Sequence, residues 1–302
     1  MAAMSRRRPT VLLALAPLCM ALACGAARSA APPPPVESVP WELRAGGWRA
    51  DPAWYDGRAE KCTYDSTRTI YGEERRYVAT AYTNKQRMDP ETTTKSADDA
   101  AGAGVEVFKH HWSERVPTES YDYDFSTATF TRTEDLAPFK LVAATQDDCG
   151  ASFKQLWRDG ERLRFFESVY FPGAGTREGA LDAAGAQVFD ALPLVLRDFP
   201  FDSDETFTLR IVPSQKSTRS EPFEPRDLVV RRTGSGTHEL ASGEVIATHE
   251  LELAERSGAV VARYAFAADG SAPLLHALVS YEGPNGESHR LRALERTAYW
   301  ER

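Results

Sequence analysis

Three groups of side chains in this sequence carry types and spacings that could do chemistry. His110, His111 and Glu114 form the densest metal-capable group. On a helix, His110 and Glu114 would share a face at four-residue spacing and could hold a metal ion or act as a general base. The run VEVFKHHW is strand-like, however, and a strand sends His110 and His111 to opposite faces. The reading preferred here is therefore a half-buried or solvated histidine pair, with the metal role as its competitor. Asp147 and Asp148, preceding Cys149, could pair as acid and base or bind calcium, but carboxylates in a turn more often cap backbone amides. Asp198, Asp202, Asp204 and Glu205 form a second acidic group without the glycine and terminal glutamate of an EF-hand loop.

The third group is aromatic. Trp112, Tyr121, Tyr123, Phe125, Trp157 and Phe166 crowd into one half of the chain. On a curved sheet they could line a groove for an acyl chain or another apolar ligand. The alternative is that these rings are plain core. Several signatures are missing from the sequence: a Gly-x-Ser-x-Gly elbow, a Walker loop, a dinucleotide fingerprint and a His-Glu-x-x-His motif. No catalytic residue and no cofactor is assigned.

The elements that must position these groups are strands. Phe139–Phe171 reads as three apolar-patterned runs punctuated by Cys149-Gly150 and Asp159-Gly160, hence neighbouring antiparallel strands. Ahead of it, 57–69 and 75–83 form a strand pair joined by the turn Tyr71-Gly72-Glu73-Glu74, with Tyr77, Ala79, Ala81 and Thr83 on one face. Tyr121, Tyr123 and Phe125 alternate with Asp122 and Asp124, which puts rings on one face and carboxylates on the other. From Glu205 onward, apolar runs alternate with short Gly-containing turns, the pattern of a meander. Leu181, Ala184, Val188, Leu192 and Leu196 fall at helical spacings and predict one helix over about 178–197, bent at Pro193 and packed on the sheet. Trp41–Trp54 reads as a strap docking its tryptophans onto the sheet, or as a lip for a ligand groove. The fold class expected is mainly β: a large curved antiparallel sheet or open half-barrel carrying one helix.

The N-terminus sets the compartment. Arg6, Arg7 and Arg8 precede an apolar run, 11–23, too short to span a bilayer as a mature helix, so 1–23 is read as an export signal. Ala21-Leu22-Ala23-Cys24-Gly25 is read as a lipobox with Cys24 as the acylated mature terminus; an ordinary cleavage site is the other reading, and Cys19 and Cys24 are then simply residues of a discarded signal. Residues 24–40, with Pro32–Pro35, form a stiff tether, and 41–302 is a single β-rich domain with a possible subdivision near 173–204. The destination is the periplasm or cell envelope, the outer membrane being expected because no Asp follows Cys24. The acyl anchor is the expected membrane contact, and any protein partner is unknown.

The net charge is −8, and more negative once the leader arginines are gone, which argues against nucleic acid as partner. In an oxidising compartment Cys62 and Cys149 are most simply a disulfide. It would close a long loop and contribute about 4 to 5 kcal/mol on the chain-entropy model. The alternative is a reactive thiol or a metal ligand.

The blocks GRAEKCTY, IYGEERRY, VFKHHW, YDYDFSTATF and TQDDCGASFKQL resemble, in that order, a family of exported bacterial proteins with no assigned activity, some of which carry an automatic label of septum formation inhibitor. That label belongs to a cytosolic nucleotide pyrophosphatase, whose phosphate-binding signature is missing here. The later half, with SGEVIATHELEL and YAFAADGSAPLLHALVSYEG, is similar in rhythm to exported domains of unknown function that form open β half-barrels, related in shape to periplasmic lipoprotein carriers. The resemblance brings no catalytic residue, and the leader, the concentration of aromatics and the lack of a catalytic signature point to a non-catalytic binding module for an apolar or envelope-derived ligand. The alternatives are an envelope hydrolase or metal-dependent enzyme using His110, His111 and Glu114, and a structural interaction module.

Overall fold

The computed structural model describes residues 38–40, 47–97, 103–173, 175–182 and 184–301. The expected leader, Cys24, most of the tether and Trp41 lie outside them.

Among the described residues, sixteen strands form one sheet. In chain order they are β1 Val39–Pro40, β2 Ala59–Ile70, β3 Glu73–Met88, β4 Val105–Pro117, β5 Asp122–Arg132 and β6 Pro138–Asp147. β7 Gly150–Asp159, β8 Arg162–Val169, β9 Thr176–Asp182, β10 Ala186–Val188 and β11 Phe207–Val212 follow. β12 Arg226–Glu239, β13 Val245–Glu255, β14 Val260–Ala267, β15 Leu278–Glu282 and β16 Ser288–Thr297 complete it. The spatial order runs β1-β11-β12-β13-β14-β15-β16-β2 and on through β3 to β9. Apart from the parallel β1–β11 and β10–β11 pairs, neighbours are antiparallel. The sheet curls until its two ends meet: β10, continuing the chain from β9, pairs with β11, and Arg210 on β11 reaches Asp182 on β9 at 3.2 Å. The result is a nearly closed, barrel-like sheet.

Local sequence explains the pairing. Tyr71 and Gly72 both adopt positive φ (55° and 81°), the two-residue turn whose twist suits a hairpin, and only glycine does so without strain. Burial alternates along β2, β4 and β5, so the inner face receives Glu60, Cys62, Tyr64, Ser66 and Arg68 from β2 alone.

The interior is filled by the chain between β10 and β12. Phe189–Asp198 contributes Leu192, Leu194, Val195 and Leu196, all fully buried. Pro213–Phe223 then crosses the inner face of β7 and β8: Ser152 donates to the Thr218 carbonyl at 2.7 Å, Lys154 to that of Arg219, and Phe223 stacks on Phe165 at 4.2 Å. Near the start of the domain, Trp48 and Trp54 pack on Phe108 with ring centroids 5.0 and 5.1 Å away, as expected of a docking strap.

Two sequence expectations require correction. The helix over about 178–197 is strand in its first half, where β9 and β10 lie, and only its second half turns helically, as α1 Leu192–Val195 between two 3-10 turns. Its apolar spacing was the sum of two short strands and a turn at Gly185, whose φ of 62° interrupts any helix. The Cys62–Cys149 disulfide is absent. Both thiols are free, because Cys62 faces inward on β2 whereas Cys149 sits exposed in the β6–β7 turn.

Candidate functional site

The inner face of the barrel carries carboxylates that a β-sheet core would not tolerate unpaired, and each meets a cation. Glu60 accepts both guanidinium arms of Arg197, at 2.7 and 2.9 Å, and both side chains are 1% exposed. Glu167 is held by Arg177 and by the Ser220 hydroxyl. The largest group assembles around Glu114 on β4 and Glu287, just ahead of β16. The Lys216 ammonium, from the segment inside the barrel, lies 2.5 Å from a carboxylate oxygen of each. Arg68 on β2 approaches Glu287 at 3.2 Å and Glu114 at 3.4 Å.

Neutral donors complete the cluster. Trp112 Nε1 donates to Glu114 at 2.6 Å and the Tyr77 hydroxyl does so at 3.2 Å. His289 Nε2 lies 3.1 Å from Glu287, while its Nδ1 meets the Ser66 hydroxyl at 2.9 Å. Burial pushes both glutamates' pKa values up, but Lys216 and Arg68 outweigh it and hold them below the usual carboxylate range. Burial opposes the charge on Lys216, and the two carboxylates overcome it, raising its pKa. The cluster is thus a fixed quartet of charges, two of each sign.

Glu114, Glu287 and His289 present ligand atoms within 4.8 Å of one another, a spacing that suits a metal ion. The Lys216 ammonium stands between the two carboxylates and supplies the positive charge that a metal would bring. The donor set does not fit a metal while Lys216 is in place.

The sequence candidates are distributed differently from the expected grouping. His110 and His111 do point to opposite faces of β4. His110 is buried, accepts or donates to Thr83 at 2.8 Å, and is drawn down to a pKa of about 3 by burial, with Arg197 and His111 adding to it. His111 faces outward against the Ser126 hydroxyl at 3.0 Å. Glu114 therefore shares its site with Glu287 and His289 rather than with His110 and His111. Asp147 caps the Cys149 and Gly150 amides, at 2.8 and 2.9 Å, and Asp198 pairs with Arg49 at 3.2 Å.

The aromatic set divides. Trp112, Tyr123 and Phe125 face the interior and Tyr121 is half-buried at the rim, where its hydroxyl lies 3.1 Å from Cys149 Sγ. Trp157 and Phe166 lie on the outer face of β7 and β8, one residue out of step with the buried Leu156 and Leu163. A groove containing all six is ruled out by the pleat.

Above the charge cluster a cavity of about 570 Å³ opens at one end of the barrel. Tyr71, Tyr123, Phe125 and Phe171 give it an aromatic wall, and Arg68, Lys216 and Glu287 form its floor. A second cavity of about 80 Å³ lies against the same floor, and Phe189, Ser214, Lys216, Pro284 and Glu287 line both. Sequence reading missed Arg68, Lys216, Glu287 and His289. Each is an ordinary polar residue in its own window, and only the closing of the sheet brings them together.

No family matches the chain, and no curated protein does so. Among solved structures, the chain is similar to a β-barrel-like protein of a domain of unknown function from Brucella abortus, with 11% identity and a TM-score of 0.49 over 80% of this chain and 98% of that one. Strand pairing by itself defines this chain as a barrel-like antiparallel β domain.

Proposed function

We propose that this protein is a non-catalytic binding module of the cell envelope, exported by its leader and anchored through Cys24, and that its ligand is amphipathic. The observation that carries the reading is the 570 Å³ mouth, within the size range of small-molecule sites, with an aromatic wall over a charged and hydrogen-bonded floor. Another opening, of about 640 Å³ and lined by Asp135, Arg158, Glu161 and Arg210 among others, has no aromatic side chain in its wall, so the mouth is where an apolar body finds matching surface. Its rings suit an acyl chain or a comparable apolar body. The floor's ions are already neutralised by one another, which suits recognition better than acid–base work.

The test is native mass spectrometry with solvent extraction on the domain purified from an oxidising, exported expression host. An apolar species should co-purify and be released by solvent. The variant Val261→Trp, placed on the mouth wall, should lose it. A species retained by that variant, or a bare mass for the wild-type domain, refutes the reading. If a wild-type protein still carrying its natural N-terminus ends at an unmodified residue other than acylated Cys24, the anchor falls while the binding reading stands.

A further inference from the structure

The small inner cavity carries an observation that the mouth alone does not explain. Tyr264 on β14 points inward and is 2% exposed, yet its hydroxyl meets no hydrogen-bond partner among the described residues. A buried hydroxyl without a partner is costly, and folded proteins seldom leave one so. Tyr264 lines the 80 Å³ cavity together with Asp190, Lys216, Tyr281, Glu287 and His289. At about 30 Å³ per water, that volume takes two to three water-sized groups. It is too small for a sugar ring and takes only the hydroxyl-bearing end of a short head.

The electrostatics around it select the head's charge. Lys216 is committed to Glu114 and Glu287 at 2.5 Å, and Arg68 supports both carboxylates from behind, so no cation is left over for an anionic head. No carboxylate is left over for a cationic one. Asp190 accepts from the Ser214 hydroxyl at 2.5 Å and the Gln215 amide at 2.8 Å, and burial pushes its carboxyl up, away from ionisation. A full charge entering this space would lose its hydration without gaining a counter-ion. A hydroxyl or ester oxygen, by contrast, could accept from Tyr264.

We infer that the inner cavity is the head-group subsite for a neutral, hydroxyl-bearing amphiphile whose chain occupies the mouth, with the Tyr264 hydroxyl as the donor that reads the head. This inference rests on the mouth being a binding site, and the experiment separates the two. Calorimetric titration of the folded protein would compare 1-monooctanoylglycerol, sodium octanoate and octylamine, three heads of different charge on one chain length, each below its self-association concentration. The monoacylglycerol should bind at least tenfold more tightly than either ion. Tyr264→Phe should weaken it by about five- to tenfold and leave octanoate unchanged. Because the change deletes an unpaired hydroxyl from the free protein, its thermal unfolding midpoint should not fall, which separates a lost contact from a lost fold. Equal or tighter binding of octanoate or octylamine would overturn the head-group assignment and leave the mouth reading standing. A Tyr264→Phe protein that folds and binds monoacylglycerol as well as wild type would overturn it too. If none of the three binds, the mouth reading fails and the subsite falls with it.

Discussion

Replacing Lys216 by methionine probes the charge cluster where its arithmetic is simplest. The change keeps much of the side-chain length and removes the ammonium 2.5 Å from Glu114 and Glu287. The two carboxylates, with oxygens within 4.8 Å, then face each other. At an effective dielectric of 20 that separation gives a repulsion of about 3.5 kcal/mol, equivalent to roughly 2.5 pKa units on one member of the pair. Arg68, Tyr77, Trp112 and His289 remain in contact and offset part of it. The expected net loss at pH 7 is about 3 kcal/mol, near the lower end of the range for breaking a buried ion pair. For a domain of this size it should lower Tm by about 6 to 12 °C.

The pH dependence gives the sharper signature. In the wild type both glutamates are held below the unfolded value, so their stabilisation is full above a pH of about 4.3 and is lost as pH falls through the folded values. In the variant one carboxyl is raised above about 4.3, so that group's contribution is full below that pH and is lost as pH rises toward about 7. Denaturant unfolding at pH 5, 6 and 7 should show the variant weakening with rising pH, relative to wild type. A loss below about 0.5 kcal/mol at pH 7, or the wild-type slope retained, would refute the account of the cluster.

Three further outcomes follow from buried groups. Arg197→Met leaves Glu60 buried and unpaired and should cost about 3 to 5 kcal/mol in denaturant unfolding, while adding Glu60→Gln should recover most of it; no recovery would mean that the pair is not coupled. In the domain without its leader, a thiol reagent should label Cys149 quickly and Cys62 only on unfolding, because Cys62 is 1% exposed and burial pushes its thiol up. Labelling of both in the folded protein, or of neither, would contradict the assigned exposures. His110, drawn down to about 3 chiefly by burial, should keep a neutral imidazole spectrum by NMR from pH 7 to 4.5. Its contribution to stability is full above about 6.5 and is lost as pH falls toward that folded value, so a titration midpoint near 6.5 would place it in solvent.

The fold class was legible because its signals are local. Alternation along β4 and β5 separated His110 from His111 and set Tyr123 and Phe125 on one face, and the Gly-containing turns marked the hairpins. The same rule, applied from the buried Leu156 and Leu163, would have turned Trp157 and Phe166 outward. The helix failed over its first half for a physical reason: two short strands and the turn between them, running into a short helical stretch, reproduced a 3.6-residue rhythm over Leu181–Leu196. The disulfide was argued from compartment and cysteine count, neither of which says which way a side chain points. The site was not legible because its members lie on β2, β4, the segment inside the barrel and the approach to β16. Their meeting depends on which strand neighbours which, and no window of sequence holds that information.

The pairing of β2 with β16 has a consequence for how the protein is made. Strand order places the last long strand beside the first one, Ser288 opposite Thr67 through Thr297 opposite Ala59, in the middle of the sheet rather than at its edge. A chain emerging from the N-terminus can therefore zip β2 through β9 early, but β2 keeps an unpaired edge, with its row of open amides and carbonyls, until some 220 later residues have been delivered. The two acids of the central cluster wait on the same schedule: Glu114 arrives early, Lys216 a hundred residues afterwards, and Glu287 at the very end. During that interval the half-made sheet is both sticky at its edge and charged within. Until β16 arrives, the open edge of β2 is the place where an unfinished chain would pair with another.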